Sequence, residues 1–500
     1  MDGCRFDSQP SHGDEFLVTD NDFLRELRQR LGDRGRPRVA RDPVNVPMIR
    51  HWCDAIGDAN PMYTDDDIAA ASVFGGLVAP PTMLDVWDKP GLVASRDPES
   101  PMAAVLTLVE THGFTSVVAV NSEIEFARYV RPGEVVASVE TLLDVSEEKQ
   151  TALGVGHFVT TRNIFVNEDG EHLGDVLFRV LKFRPGTGRV SAPAHEGTAA
   201  ASSAPSLRPR PSINHDNQFF WDGARRHELR VQLCNRCGAT YFPPKPRCSG
   251  CGSFDLGYRV SSGRGVVYAW AVPHHPPAPG FRYPVLVALI ELEDGVRIVS
   301  NVVNIERPHL RIGLPVEVCW LDSHPALVDG ADDSRGPISL PQFRPIRPTR
   351  RVTTARIDEV TEGDELPLDP IPITPTLVVS AALATRDFAT VHHDRDIALR
   401  AGSNDIFMNI HTTLGLTQRY LTDCLGPETL FRNVRVRLGA PNYPGDTMTM
   451  TGTVTRVDRA TGDVTVGFRG FNQLGNHAVG TADLVLPGGS QYEQFVKGPS

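Results

Sequence analysis

Two Cys-x-x-Cys pairs constrain the fold of this chain more than any other feature of its sequence. They place four of the eight cysteines in one short segment, and each pair is followed by glycine: the residues are Cys234, Cys237, Cys248 and Cys251. Four thiolates complete the tetrahedral coordination of Zn²⁺ and leave no open position, so this spacing predicts a structural zinc ribbon. The glycines allow tight turns beside the sulfur atoms. Reduced thiols without a metal are the disfavoured alternative.

The rest of the composition narrows the class of protein. The other cysteines are scattered, which argues against a disulfide framework and leads us to expect a cytoplasmic chain. No signal peptide is recognisable, and the most apolar stretch, residues 102–120, is interrupted by Glu110, so no membrane span is expected. A formal net charge of −11 disfavours binding to nucleic-acid phosphates.

The chain divides into several domains, because 500 residues exceed what one hydrophobic core usually holds. Residues 188–212 are rich in Ala, Ser and Pro and predict an extended linker. Prolines between residues 341 and 351 mark a second boundary. The predicted domains are 15–187, a zinc ribbon at 213–258, a β-barrel at 259–345, and 350–488.

The first and last domains predict a diverged internal repeat, because they share one order of parts. Each has an Asp-containing loop, then a helical stretch, then long strands around a Pro-Gly-acid turn at 132–134 or 444–446. In the last domain, apolar residues recur at helical spacing from Ile410 to Cys424. Gly426 and a proline follow, so a helix with a natural stop is predicted there.

Between the repeats, β-rich segments broken by glycine and proline predict a small barrel. Residues 219–234 predict an amphipathic helix that runs into the zinc ribbon. Tyr268 and Trp270 could stack on the bases of a single-stranded nucleic acid. However, Glu291 and Glu293 make the central strand acidic, so nucleic-acid binding is disfavoured.

Both Asp-containing loops resemble a motif of the MaoC-type, R-specific enoyl-CoA hydratases, Gly-Asp-x-Asn-Pro-x-His followed by Asp and a small residue. The first repeat has Tyr63 in place of the histidine and otherwise matches at Gly57, Asp58, Asn60, Pro61, Asp65 and Ala69. The last repeat keeps Asp387, His392, Asp394 and Ala398 but departs from the glycine, asparagine and proline at Arg386, Ala389 and Thr390. These departures are complementary, so the last repeat is predicted to be the active copy.

This resemblance implies that Asp387 and His392 form a catalytic pair. A histidine near neutral pKa can accept a proton from water, and the carboxylate positions that water. The adjacent His393 fits the motif spacing less well. The resemblance also implies that the Ile410 backbone N–H, at the start of the long helix, stabilises the enolate oxygen, with Asn409 beside the substrate.

In the first repeat, Asp58 and Tyr63 are predicted to line the substrate pocket. Asp58 has a second interpretation as a loop cap, since aspartates in such loops often bind backbone N–H groups. Neither residue is predicted to be catalytic, because the motif histidine is missing from this repeat.

Residues 215–345 resemble an acyl-CoA-associated family in which a zinc ribbon precedes an OB fold. The resemblance lies in the Phe-Trp-Asp-Gly segment, the cysteine pairs and the closing LPQFRP, and it implies docking of a thiolase-like aldolase. Residues 1–345 and 350–488 resemble the large and small subunits of actinobacterial steroid side-chain enoyl-CoA hydratases. The implied fold class is α+β: two hot-dog domains, each a long helix wrapped by an antiparallel sheet, plus a zinc ribbon and an OB-fold β-barrel.

The function implied is that of a lyase that hydrates an α,β-unsaturated acyl-CoA, here a bulky steroid side-chain thioester. The hot-dog domains are expected to pair within the chain or in a homo-oligomer, with Zn²⁺ as a structural cofactor. A non-catalytic acyl-CoA-binding scaffold for the aldolase, a thioesterase and a nucleic-acid-binding protein are the alternatives. Loss of hydration in His392→Ala opposes the scaffold, and release of free CoA without hydration indicates the thioesterase.

Overall fold

The computed structural model of the protein describes residues 20–92, 99–188, 211–275, 281, 283–323, 338–347, 349–492 and 494. The predicted linker at 188–212 lies almost entirely outside the described residues. No helix in the described ranges has both the length and the apolar character needed to cross a membrane.

The N-terminal repeat places its helices mostly before its sheet. The helices are α1 (Asp20–Gln29), α2 (Val46–Ile56), α3 (Pro61–Thr64), α4 (Asp66–Ala71) and α5 (Pro101–Thr111). The strands are β1 (Arg38–Val39), β2 (Ser116–Phe126), β3 (Ala137–Val145), β4 (Lys149–Gln150), β5 (Val155–Val166) and β6 (His172–Phe183). Alternation of buried and less buried residues along β5 is the pattern of a strand with one face on a core.

The middle domain contains a three-stranded ribbon and a five-stranded barrel. Its ribbon part comprises α6 (Gln218–Ala224), β7 (Arg230–Cys234), β8 (Thr240–Tyr241) and β9 (Leu256–Val260). Its barrel comprises β10 (Arg264–Ala271), β11 (Val287–Leu292), β12 (Arg297–Asn301), β13 (Pro315–Ser323) and β14 (Ile338–Pro345). The strand order is β12-β11-β10-β13-β14, and a bridge between Val302 and Phe343 brings the two ends together.

The helix predicted at 219–234 is shorter in the structure. It ends at Ala224, and His227 takes a positive φ of 59° that turns the chain away from the helix. The following residues form β7, whose backbone groups pair with β8 and β9. A strand rather than a helix therefore brings Cys234 to the other thiolates.

The C-terminal repeat contains the long central helix of the hot-dog fold. Its elements are β15 (Glu365–Pro372), α7 (Pro375–Ala384), α8 (Arg395–Arg400), α9 (Ile410–Leu425), β16 (Leu430–Leu438), β17 (Thr447–Asp458), β18 (Asp463–Asn472) and β19 (Gly475–Val485). Asn409 caps the start of α9, and Gly426, at a φ of 112°, ends it. The predicted helix and its stop are therefore confirmed.

The N-terminal repeat departs from the expected long helix. Its longest described helices, α2 and α5, have 11 residues each, whereas α9 has 16. In this repeat a short 3₁₀ turn at Pro81–Met83 and the helix α2 contact α9. Consecutive prolines at 80 and 81 lack backbone N–H groups and clash with a preceding helical turn, so no helix runs through them. The rest of the predicted fold class is confirmed.

One continuous sheet joins the two repeats. β2 and β16 pair antiparallel, from Asn433 opposite Glu125 to Arg437 opposite Asn121. The strand order is β1-β3-β5-β6-β2-β16-β19-β18-β17-β15, with β4 beside β5. One hydrophobic core cluster contains residues of both repeats, and a smaller one lies within the N-terminal repeat. Each fully buried Leu or Phe contributes about 1.5–3 kcal/mol. The same buried contacts therefore contribute to the folding free energy of both hot-dog repeats.

The OB barrel contacts the C-terminal repeat through polar groups. Arg469 forms an ion pair with Glu306 at 2.5 Å. The Thr449 hydroxyl donates to the Asn304 carbonyl at 2.8 Å. These contacts place the barrel against β17 and β18, on the repeat that carries the long helix.

Candidate active site

His392 and Asp387 face each other in the loop between α7 and α8. His392 Nε2 lies 3.5 Å from Asp387 Oδ2, and His392 Nδ1 lies 2.7 Å from the Phe407 carbonyl oxygen. A carbonyl oxygen only accepts, so Nδ1 carries the proton and Nε2 is left as an acceptor. An imidazole acceptor and a carboxylate acceptor at this separation suit one water molecule that donates to both.

The environment keeps these two groups in complementary protonation states. Burial lowers the pKa of His392 below its ordinary value of 6.5, against the opposing effects of Asp387 and the Phe407 carbonyl. Burial alone raises the pKa of the Asp387 carboxyl, but His392, His411 and Lys89 together outweigh it and lower that pKa. A neutral imidazole beside an ionised carboxylate is the state that accepts a proton from water.

Asn409 links the carboxylate to the start of α9. Its Oδ1 accepts the Thr412 N–H at 2.8 Å and so caps the helix. Its Nδ2 donates to Asp387 Oδ2 at 3.0 Å and to Thr385 Oγ1 at 2.9 Å. Both amide hydrogens are therefore committed to the protein. The sequence predicts that Asn409 contacts the substrate, and in the structure its side chain also orients Asp387.

Ile410 begins α9 beside the acid/base pair. Within the described part of the chain, no acceptor is found for the backbone N–H groups of Ile410 and His411. Unpaired N–H groups in the first turn of a helix carry its positive end and suit a developing oxyanion. The geometry thus leaves the Ile410 N–H available for the role that the sequence predicts.

Charged residues of the N-terminal repeat reach this site, which sequence analysis missed. Lys89 Nζ lies 2.6 Å from His411 Nε2, and Asp85 Oδ2 lies 3.3 Å from His411 Nδ1. The Phe178 ring stacks at 6.5 Å from the His411 ring. Lys89 and His411 are 322 positions apart in the chain, and no local pattern in the sequence signals such a contact.

Asp58 and Tyr63 of the N-terminal repeat are buried, with 4 % and 1 % of their surface exposed. Asp58 Oδ1 accepts the Asn60 N–H at 2.9 Å. Burial raises the pKa of Asp58 to about 6 despite that hydrogen bond. Burial also raises the pKa of Tyr63. These contacts favour the loop-capping interpretation of Asp58 over a substrate contact.

The C-terminal repeat has Arg386 where the motif has glycine. Gly57 has a φ of 66°, and Arg386, at the same motif position, has a φ of 54°. Both repeats therefore use the left-handed conformation there. A non-glycine residue pays about 1–2 kcal/mol for it, so the C-terminal repeat keeps the loop shape at some cost in stability.

The four ribbon thiols lie close enough to share one metal ion. Their Sγ atoms are all within 4.8 Å of one another, and the pairs Cys234–Cys251 and Cys237–Cys248 are each 3.6 Å apart. Tetrahedral zinc with Zn–S bonds of about 2.3 Å places its sulfur atoms about 3.8 Å apart. The glycine after each pair has a φ of 74° and donates its N–H to the first cysteine's carbonyl. The donor set fits a structural Zn²⁺, as predicted.

Three segments of the chain match known protein families. Residues 36–176 match the FAS1-like dehydratase domain region. Residues 221–257 match the rubredoxin-like zinc ribbon domain of ChsH2, and residues 258–321 match the ChsH2 C-terminal OB-fold domain. These matches, with hot-dog repeats around a ribbon and an OB barrel, define a dehydratase-type enzyme.

Individual relatives carry more specific names than these families do. A probable enoyl-CoA hydratase alpha subunit of Thermomonospora curvata is 39 % identical over 336 residues, which is 66 % of this chain and 99 % of that protein. The 3-oxo-4,17-pregnadiene-20-carboxyl-CoA hydratase alpha subunit of Mycobacterium tuberculosis is 40 % identical over 57 % of this chain and 89 % of its own length. The beta subunit of that hydratase is 53 % identical over 22 % of this chain and 85 % of its own length.

The chain belongs to the MaoC-like enoyl-CoA hydratase family. It matches both an alpha and a beta subunit within one polypeptide, which confirms the resemblance to the two subunits.

Proposed function

We propose that the Asp387–His392 site adds water across the double bond of an α,β-unsaturated acyl-CoA. One observation carries this proposal: His392 Nε2, without a proton, faces the Asp387 carboxylate at 3.5 Å beside the free N–H of Ile410. Water activation and oxyanion stabilisation are the two requirements of this reaction.

The proposed mechanism uses only groups of this site. A water molecule donates one hydrogen to His392 Nε2 and the other to Asp387. As the water oxygen bonds to Cβ, one acceptor takes the proton, and the electrons of the double bond move toward the thioester oxygen. The Ile410 N–H and the positive end of α9 stabilise the enolate that forms. The held proton is then delivered to Cα, so the enzyme is regenerated.

We further propose a steroid side-chain CoA thioester as the substrate. The two Mycobacterium tuberculosis relatives are named as subunits of a pregnadiene-carboxyl-CoA hydratase.

The middle domain is proposed to dock a thiolase-like aldolase that consumes the product. Aromatic and apolar side chains on β9, β10 and β12 remain exposed, among them Tyr258, Val266, Tyr268, Trp270 and Val299. Exposed aromatic side chains are typical of protein-binding surfaces. Glu291 near the end of β11, followed by Glu293 and Asp294, adds acidic groups to the same barrel, which disfavours a nucleic acid.

The substrate assignment is tested by incubating the purified chain with a steroid enoyl-CoA and with a short-chain enoyl-CoA. We expect faster hydration of the steroid thioester, and His392→Ala is expected to hydrate neither. Faster hydration of the short-chain thioester contradicts the steroid assignment. Free CoA without hydrated product supports a thioesterase, and binding to a thiolase-like aldolase without any hydration supports a scaffold.

A further inference from the structure

Lys89 belongs to the N-terminal repeat, yet its ammonium group lies at the C-terminal site. Nζ is 2.6 Å from His411 Nε2 and 3.9 Å from Asp85 Oδ2. The side chains of Lys89, Asp85 and His411 are 23 %, 11 % and 6 % exposed. Water therefore screens these charges weakly, and they act over longer distances than surface charges do.

The geometry determines where the positive charge resides. An ammonium group only donates hydrogen bonds, so His411 accepts at Nε2 and keeps its proton on Nδ1, toward Asp85. The His411 imidazole then lies between the Lys89 ammonium group and the Asp85 carboxylate. The positive charge that the N-terminal repeat brings to this contact is therefore that of Lys89.

His411 connects this cluster to the reacting groups. It lies in the first turn of α9, directly after Ile410. Asn409, directly before Ile410, donates a hydrogen bond to Asp387. A contact that fixes His411 therefore fixes the helix start. The titratable groups of the two repeats that meet here are Asp85, Lys89, Asp387, His392, His393 and His411.

We propose that Lys89 is a positioning residue through which the N-terminal repeat supplies positive charge to the C-terminal active site, stabilising the Asp387 carboxylate and holding the first turn of α9 through His411. The inference rests on the proposed hydratase function and deepens it. It gives the repeat that carries Tyr63 instead of a histidine a role in the reaction.

A simpler interpretation is that Lys89 only neutralises the buried Asp85. The two interpretations differ when both charges are removed together. Lys89→Met with Asp85→Asn leaves no buried charge uncompensated, so the simpler interpretation predicts that activity returns. Our proposal predicts that the double variant stays slow, because the positive charge that Lys89 brings to His411 and the start of α9 is still missing.

The test measures kcat, KM and the pH profile for the faster of the two enoyl-CoA substrates. For Lys89→Met we expect kcat to fall roughly 10- to 100-fold, as when one preorganised charge is lost, with KM nearly unchanged. The acid limb of kcat/KM is expected to move to higher pH, because losing the Lys89 cation raises the pKa of Asp387. Lys89→Arg is expected to restore most of the rate.

Lys182→Met is the matched control. Lys182 is a lysine of the same repeat, 1 % exposed and paired with Glu110 at 3.0 Å, and it lies outside the active site. This variant is expected to lower the melting temperature while kcat and the pH profile stay the same.

The proposal is overturned if Lys89→Met keeps the wild-type kcat and pH profile, or if the double variant recovers the wild-type rate. A wild type that hydrates neither substrate overturns the proposed function itself, and this inference with it. An active wild type with an unchanged Lys89→Met variant overturns the inference alone.

Discussion

At the scale of single residues, the tautomer of His392 decides what the site can do. The Phe407 carbonyl holds the Nδ1 proton, so the nitrogen that faces Asp387 is the basic one. Without this contact, Nε2 could carry the proton and donate it to the carboxylate. The pair would then be a satisfied hydrogen bond instead of two acceptors that hold a water molecule.

The pKa shifts predict the pH dependence of the reaction. His392 must be neutral to act as a base, and burial lowers its pKa below 6.5. Asp387 must be ionised, and its pKa is lowered too. Activity should therefore be retained as the pH falls toward 6.5 and be lost only at lower pH, as His392 becomes protonated. A kcat/KM profile measures this, and an acid limb centred above pH 7 contradicts the assignment.

At the scale of elements, the start of α9 organises the site. Asn409 both caps the helix and holds Asp387, while the neighbouring residue presents the free N–H. One side chain thus couples the acid/base pair to the oxyanion position. Displacing it is expected to disturb both, because a small misplacement of catalytic groups is costly.

Replacing this cap separates its structural role from its role in the reaction. Asn409→Ala should cost about 1 kcal/mol of folding free energy and also lower kcat. Asn45→Ala is the matched control, since Asn45 caps α2 by accepting the Met48 N–H at 3.0 Å. It should cost a similar amount of stability and leave kcat unchanged. Equal kcat in the two variants, measured beside thermal unfolding, contradicts the positioning of Asp387 by Asn409.

Local elements were predictable from the sequence, and contacts between elements were not. The zinc ribbon and α9 with its Gly426 stop depend on neighbouring residues, so spacing alone indicates them. The segment 219–234 shows where this fails, because strand pairing with β8 and β9 overrides its helical pattern. The contact of Lys89 with His411 exists only in the folded chain. The sequence around each of these residues shows neither a metal-binding pattern nor a motif that would predict it.

At the scale of the whole molecule, a buried ionic network connects the two repeats. Arg419 on α9 donates to the Ile56 carbonyl of the N-terminal repeat. It also pairs with Asp369 on β15 at 3.2 Å, and Asp369 pairs in turn with Arg347 at 3.0 Å. The Arg419 and Asp369 side chains are almost fully buried. Together with the continuous sheet and core, this network predicts that the two repeats unfold together.

Removing Arg419 should therefore destabilise both repeats at once. Arg419→Met leaves buried carboxylates without one of their partners, which costs about 3–5 kcal/mol of folding free energy. The two hot-dog repeats should then unfold in one transition at a lower temperature than in the wild type. Arg297→Met is the control, because its ion pair with Glu291 is exposed on both sides and such pairs contribute about 0–1 kcal/mol. Two separate transitions in calorimetry, with only one of them shifted, contradict the shared core.

The most direct test of the central claim is the rate at which His392→Ala hydrates an enoyl-CoA, followed by the gain of one water in the mass of the product. His393→Ala is the control, because its side chain is adjacent in the chain and it lies outside the pair with Asp387. We expect a loss of roughly 10²–10⁴-fold in His392→Ala and a rate near that of the wild type in His393→Ala. Hydration at the wild-type rate in His392→Ala contradicts the role of His392 as the base.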